Sequence, residues 1–173
     1  MNFPEDVRGW LYKEEGWALH AYAEGKVVLE IGSYCGRSTI CLAQSAQEVH
    51  CVDPFLKVEA TAPETDGQNV FDEFLNNMRR YGVYIRVYPH IGYSQDVLPK
   101  MIGREFGFAF IDGAHDEASV QRDLELTLAL MKPGSWIAFH DYSQSWPDVI
   151  KVVDRWRGNR TMKRVGDLAL VEI

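Results

Sequence analysis

The chain has 173 residues, 46% of them hydrophobic and 25% charged, with 18 basic side chains against 25 acidic ones and a formal net charge of -7. This length fits one domain, expected to span 1–173 with residues 1–25 as an N-terminal helical cover, and it can bury a core without disulfide or metal staples. The acidic balance disfavours a surface that must neutralise many phosphates, so nucleic acid is excluded as a partner and a small molecule is expected.

The first ten residues, MNFPEDVRGW, carry neither a basic leader nor an apolar segment, and no stretch reaches membrane-spanning length. A cytoplasmic location with no membrane partner follows as the expectation, and assembly into a homo-oligomer is compatible with it. Val7, Trp10, Leu11, Trp17, Leu19 and Tyr22 recur at helical spacing and predict a helix over 4–22, with Trp10 and Trp17 as packing residues. A short apolar run predicts a strand over 26–31, and a helix follows over 38–46. Cys35, Cys41 and Cys51 form no C-x-x-C pair, which points to reduced, structural thiols.

A second strand over 49–52 stops at Asp53-Pro54, because the residue before a proline is pushed out of helical geometry. Residues 56–69 read as an exposed loop, and 70–81 returns to helical periodicity. A third strand is predicted over 84–88, followed by HIGYSQDVLP, a turn that leads into a short helix. A fourth strand over 106–111 ends at Asp112, and a helix over 120–131 is closed by KPG. A fifth strand over 135–139 ends at His140 and Asp141. A helix over 148–157 precedes MKRVGDLALVEI, a terminal hairpin turning at Gly166 and Asp167. His20, His50 and His90 have no chemical company and read as surface or edge residues.

Strands alternating with helices imply an α/β, doubly wound, Rossmann-like fold: a seven-stranded, mostly parallel sheet with an antiparallel C-terminal hairpin strand. In such sheets ligands sit beyond the carboxyl ends of the strands. The chemically notable residues fall there: the loop Gly32, Ser33, Tyr34, Gly36 and Ser38, then Asp53, Ser94, Asp112, His115, His140 and Asp141.

The loop VVLEIGSYCGRST follows a strand as a dinucleotide loop would, yet the fingerprint G-x-G-x-x-G is absent, with Tyr34 in the middle glycine's place. Glu30, Asp53, Asp112 and Asp141 are expected to project toward one mouth. Four carboxylates repel a pyrophosphate and attract a sulfonium and an ammonium. Asp53, at the end of the second strand, is placed to accept bonds from the ribose hydroxyls of an adenosine.

The segments VVLEIGSYCGRST, CVDPF, IGYSQDVLP and FAFIDGAHDEASVQRDLELTLALMKPGSWIAFHDYS, with the closing hairpin, resemble the class I S-adenosylmethionine-dependent methyltransferases. More narrowly they are similar to the branch containing macrocin-type sugar O-methyltransferases and cephalosporin-hydroxylase-like proteins. The resemblance implies S-adenosylmethionine as cofactor, with Glu30, Gly32 and Ser33 along its methionine part and the Tyr34 backbone lining that end. It also implies Asp53 on the ribose, Ser94 by the adenine, and Asp112 near the amino group or the reacting methyl. The methyl acceptor it implies is a small molecule, a sugar or a sugar-containing natural product methylated at oxygen. His115 is favoured as the base that takes the acceptor's proton, with His140 the alternative. Relatives that hold a divalent ion, magnesium or manganese, place acids where this chain has Asp112, His140 and Asp141, and a histidine in that set suits manganese, iron or zinc. The competing readings are a nucleotide-linked, NAD(P)-dependent oxidoreductase on the same fold and a non-catalytic cofactor-binding module.

Overall fold

The structure, a computed structural model, describes residues 1–56 and 70–173, so the loop expected over 56–69 lies outside the described residues except for Leu56. In chain order the elements are α1 Lys13–Ala23, β1 Val27–Ile31, α2 Arg37–Ala43, β2 Glu48–Asp53, α3 Val70–Arg80, β3 Val87–Ile91 and α4 Ser94–Val97. They continue as β4 Phe106–Ile111, α5 Glu117–Leu128, β5 Met131–Phe139, α6 Pro147–Arg157, β6 Met162–Val165 and β7 Leu168–Glu172. Among the described residues the strands form one seven-stranded sheet in the order β3-β2-β1-β4-β5-β7-β6. Pairing is parallel from β3 through β5 and antiparallel at β7 and β6, which is the expected doubly wound α/β arrangement.

The central strands are apolar on both faces because helices cover both. Val28, Phe108 and Phe110 pack with Ile40, Phe74 and Leu19 from α2, α3 and α1. Leu29, Ile31, Ala109 and Ile111 face the other way, against Val120 and Leu124 of α5 and Val149, Val152 and Val153 of α6. The chain runs outward from β1 to β3 and then returns to β4 on the opposite side of β1. The crevice between the ends of β1 and β4 is therefore the switch point at which such sheets bind ligands.

The helix expected over 4–22 begins at Lys13. Residues before it are held out of helical geometry because the Arg37 guanidinium takes their carbonyls: Nε donates to Val7 O at 2.6 Å, Nη2 to Glu5 O at 3.3 Å and Nη1 to Leu11 O at 3.4 Å. Trp10 and Trp17, expected as packing residues, are 58% and 45% exposed. The third strand starts at Val87, after a 3-10 turn over Tyr84–Arg86, and runs on to Ile91 through Pro89. Proline is tolerated there because β3 is an edge strand.

The helix predicted over 120–131 spans Glu117–Leu128, opened by the Asp116 carboxylate accepting from Ser119 N at 3.1 Å. KPG does not close that helix but lies inside β5, where pairing with β4 shifts register and Gly134 N donates to Ile173 O at 2.7 Å. His50 is no surface residue: it is 2% exposed, with Nδ1 3.0 Å from His90 Nε2 and Nε2 3.3 Å from Glu48. No helix among the described residues is long and apolar enough to cross a membrane.

Candidate functional site

The loop between β1 and α2 turns at the end of the sheet, and both of its glycines sit at positive φ, Gly32 against backbone and Gly36 against the movable end of Met78. A Cβ on Gly32 (φ 86°) would lie 1.9 Å from the Asp112 carbonyl oxygen, and one on Gly36 (φ 90°) 2.3 Å from Met78 Cε. Tyr34, in the middle glycine's place, adopts the same left-handed region at φ 47°. A non-glycine residue pays about 1–2 kcal/mol for that conformation. Its ring is tied down outside, with its centroid 5.6 Å from that of Trp10 and 5.3 Å from the Arg8 guanidinium. Arg8 in turn pairs with Glu73 of α3.

Asp53, at the carboxyl end of β2 as expected, fastens this loop from beneath. Its Oδ2 accepts from Ser33 N at 2.7 Å and Tyr34 N at 2.9 Å, and its Oδ1 accepts from Phe55 N.

Glu30 does not project toward the mouth. It is fully buried under the loop, where its carboxylate accepts from Ser33 Oγ at 2.8 Å, Ser38 Oγ at 2.6 Å and Thr39 Oγ1 at 2.5 Å. Burial pushes this carboxyl up to about 7, against the three hydroxyls that favour its charged form. The charge argument drawn from the sequence therefore loses Glu30 and is weakened at Asp53, whose oxygens face the loop amides, and Glu30, Ser33 and Ser38 form the underside of the loop. Ser94 opens α4, and its hydroxyl is engaged by the buried Asp123 carboxylate of α5.

Across the switch point, the ends of β4 and β5 bring four expected residues together. Asp112 follows β4, and Asp141 follows β5 in a left-handed conformation (φ 57°) that turns its carboxylate back over the strand ends. His115 Nε2 lies 2.7 Å from Asp141 Oδ2 and 3.8 Å from Asp112 Oδ1. His140 lies deeper, with Nδ1 3.4 Å from Asp112 Oδ1 and 3.3 Å from Asp141 Oδ2. Asp112 and Asp141 outweigh the desolvation of His115 and hold it up to about 9, so it is an imidazolium near neutral pH. For His140 burial opposes the charge, but Asp112, Asp141 and Glu15 outweigh it and raise the ring to about 12. The Asp141 carboxyl falls well below its ordinary value, since the two imidazoles override its burial.

Two members of this cluster were not singled out from the sequence. Glu15, on α1, is 0% exposed and places Oε2 3.3 Å from His140 Nε2. Trp146, the residue preceding α6, stacks on His115 with ring centroids 4.2 Å apart and an interplanar angle of 27°. Asp112, His115 and Asp141 present ligand atoms that all lie within 4.8 Å of one another. The sequence reading named Asp112, His140 and Asp141 for a metal; beside that set the structure brings His115 to the same two carboxylates, while His140 presents Nδ1 to them and turns Nε2 to Glu15.

Residues 29–142 match the sequence profile of the family described as "Methyltransferase domain". Solved structures share the fold over nearly the whole chain. Cofactor-bound Rv0187 from MTB superposes with a TM-score of 0.75 at 21% identity, over 96% of this chain and 82% of that one. The O-methyltransferase from Bacillus cereus in complex with SAH gives 0.72 at 20% identity, over 97% and 85%. CalS11, a TDP-rhamnose 3'-O-methyltransferase of calicheamicin biosynthesis, gives 0.69 at 14% identity, over 99% and 83%.

Proposed function

The chain belongs to the methyltransferase-domain family, and from that premise we propose that it transfers a methyl group from S-adenosylmethionine to an oxygen of a small molecule, a sugar or a sugar-containing natural product. The observation that carries the reading is the pairing of two half-sites across one switch point. The glycine loop fastened to Asp53 stands on one side, and the Asp112, His115 and Asp141 cluster on the other. CalS11, itself a sugar methyltransferase, shares the fold and supports the acceptor class. We read 1–173 as one working unit, with residues 1–25 as its cover.

When bound, S-adenosylmethionine supplies an electrophilic methyl group on a sulfonium. The chain's task is to align an acceptor with that methyl and to exclude water. Gly32 and Gly36 give the loop its close path, the Tyr34 backbone lines the methionine end, and Asp53 receives the ribose while holding Ser33 and Tyr34 in place. Ser94 marks the adenine side. Asp112 faces the amino group or the reacting methyl.

We assign the acceptor's proton to His115, whose side chain is 28% exposed against 5% for the enclosed His140; because Asp112 and Asp141 hold it as an imidazolium near neutral pH, it acts in its neutral form, and methyl transfer should rise as pH approaches about 9. In a metal-assisted form of the same reaction Asp112, His115 and Asp141 would instead hold a divalent ion, with His115 a ligand and not the base, and two carboxylates with one imidazole suit manganese, iron or zinc better than magnesium. The chemistry an ion held there would supply is positive charge on an oxygen of the acceptor.

The test is label transfer from tritiated S-adenosylmethionine to a panel of free sugars, nucleotide sugars and hydroxylated aromatics, with and without added manganese. Label appearing on a sugar hydroxyl is the expected result. A protein that binds S-adenosylhomocysteine yet labels nothing on the panel would overturn the catalytic reading in favour of a binding module.

A further inference from the structure

The matched family segment begins at residue 29, yet a fully buried carboxylate from α1 reaches the far end of β5. Glu15 is received there by a built cradle. Its Oε2 accepts from Tyr12 N at 2.8 Å, its Oε1 accepts from Asp167 N at 2.8 Å in the β6–β7 turn, and Oε2 lies 3.3 Å from His140 Nε2. The turn leaves room for it: a Cβ on Gly166 would lie 2.6 Å from Glu15 Oε1. The opposite nitrogen of His140, Nδ1, is 3.4 Å from Asp112 and 3.3 Å from Asp141. A carboxylate brought 125 residues along the chain to one imidazole nitrogen fixes which way that ring faces, much as outer partners orient histidines in metal and catalytic sites.

We propose that Glu15 is a positioning residue of the methyl-acceptor half-site: through His140 it sets the placement of Asp112 and Asp141, so the N-terminal helix is a working part of the site and more than its cover. This rests on the reading of that half-site given above. A purely structural carboxylate would need only its two backbone donors. The third contact, to a ring that itself touches both rim carboxylates, is what a positioning role requires.

The experiment uses the full chain labelled with nitrogen-15 at its five histidines, as parent and as Glu15→Gln, which keeps the side chain's length and one acceptor oxygen, so that one of the two backbone amides keeps its partner, and removes the charge. Long-range proton–nitrogen spectra at pH 7 report both ring nitrogens of each histidine, with and without S-adenosylhomocysteine. His115→Asn and His140→Asn assign the two signals. The expected result is that Glu15→Gln displaces the ring signals of His140 and His115 and leaves those of His20, His50 and His90 where they were. His140 and His115 signals that stay in place would overturn the proposal, as would displacement of all five together. If Glu15→Gln does not fold, Glu15→Asp, which keeps the charge on a shorter arm, enters the same comparison and is judged by the same two outcomes. Calorimetry with S-adenosylhomocysteine on the parent separates the two claims. A parent that fails to bind it defeats the methyltransferase reading, while the ring signals still decide the role of Glu15.

Discussion

Replacing Glu30 by glutamine should change how the stability of the fold depends on pH. The Glu30 carboxyl is buried completely and titrates at about 7 in the folded chain against an ordinary 4.5. Below the lower value it is protonated in both folded and unfolded chains, and its contribution is fully present. Between the two values only the unfolded chain gives up the proton, so stability falls by about 1.36 kcal/mol for each pH unit. Above about 7 both states are ionised and the loss stops growing. The rise of the folded value therefore corresponds to roughly 3 kcal/mol lost between pH 4.5 and 7. Urea denaturation of parent and Glu30→Gln, followed by tryptophan fluorescence across pH 4.5 to 8, isolates this residue in the difference between the two curves. That difference should move against the parent by about 3 kcal/mol as pH rises. A flat difference would refute the reasoning, because it would mean that Ser33, Ser38 and Thr39 compensate the buried charge in full.

Gly32→Ala should destabilise the chain by about 3 kcal/mol or more, since the added carbon meets the Asp112 carbonyl at 1.9 Å in a left-handed backbone; thermal denaturation reads it. Arg37→Ala should cost about 2 kcal/mol, because three carbonyls of the N-terminal segment lose a charged donor. Hydrogen exchange should show faster exchange confined to the first dozen residues. Asp112→Ala should remove any manganese binding detected by calorimetry on the parent, whereas equal affinity in the two proteins would exclude Asp112 from the ligand set.

Much of the fold was legible because its signals are local. Strand runs stop at Asp53, Asp112 and His140, helical spacing resumes after each, and the order of these stops carries the resemblance to methyltransferases that the family match bears out. The misplacements came from contacts that no local pattern encodes. Residues 4–12 have helical spacing, but Arg37 takes their carbonyls. Setting the helix start too early hid Glu15, which in its true register is the third helical residue, folding back onto the Tyr12 amide in the manner of a capping box.

The neighbourhood of Glu30 in sequence points to the rim, but its place in the strand does not. Strand alternation already places it on the face of Val28, beneath α2, where Ser38 and Thr39 supply hydroxyls. That signal was available from the sequence, whereas the stacking of Trp146 on His115 was not, because it depends on how the turn after Asp141 closes.

The central claim is that the loop held by Asp53 serves an adenosyl sulfonium cofactor, and calorimetry with S-adenosylhomocysteine on the parent and on Asp53→Ala tests it most directly. The account predicts binding by the parent, and an affinity lower by about 10- to 100-fold in the variant, the loss of charge-assisted hydrogen bonds. No binding by the parent, NADH binding in its place, or equal affinity in the variant would contradict it.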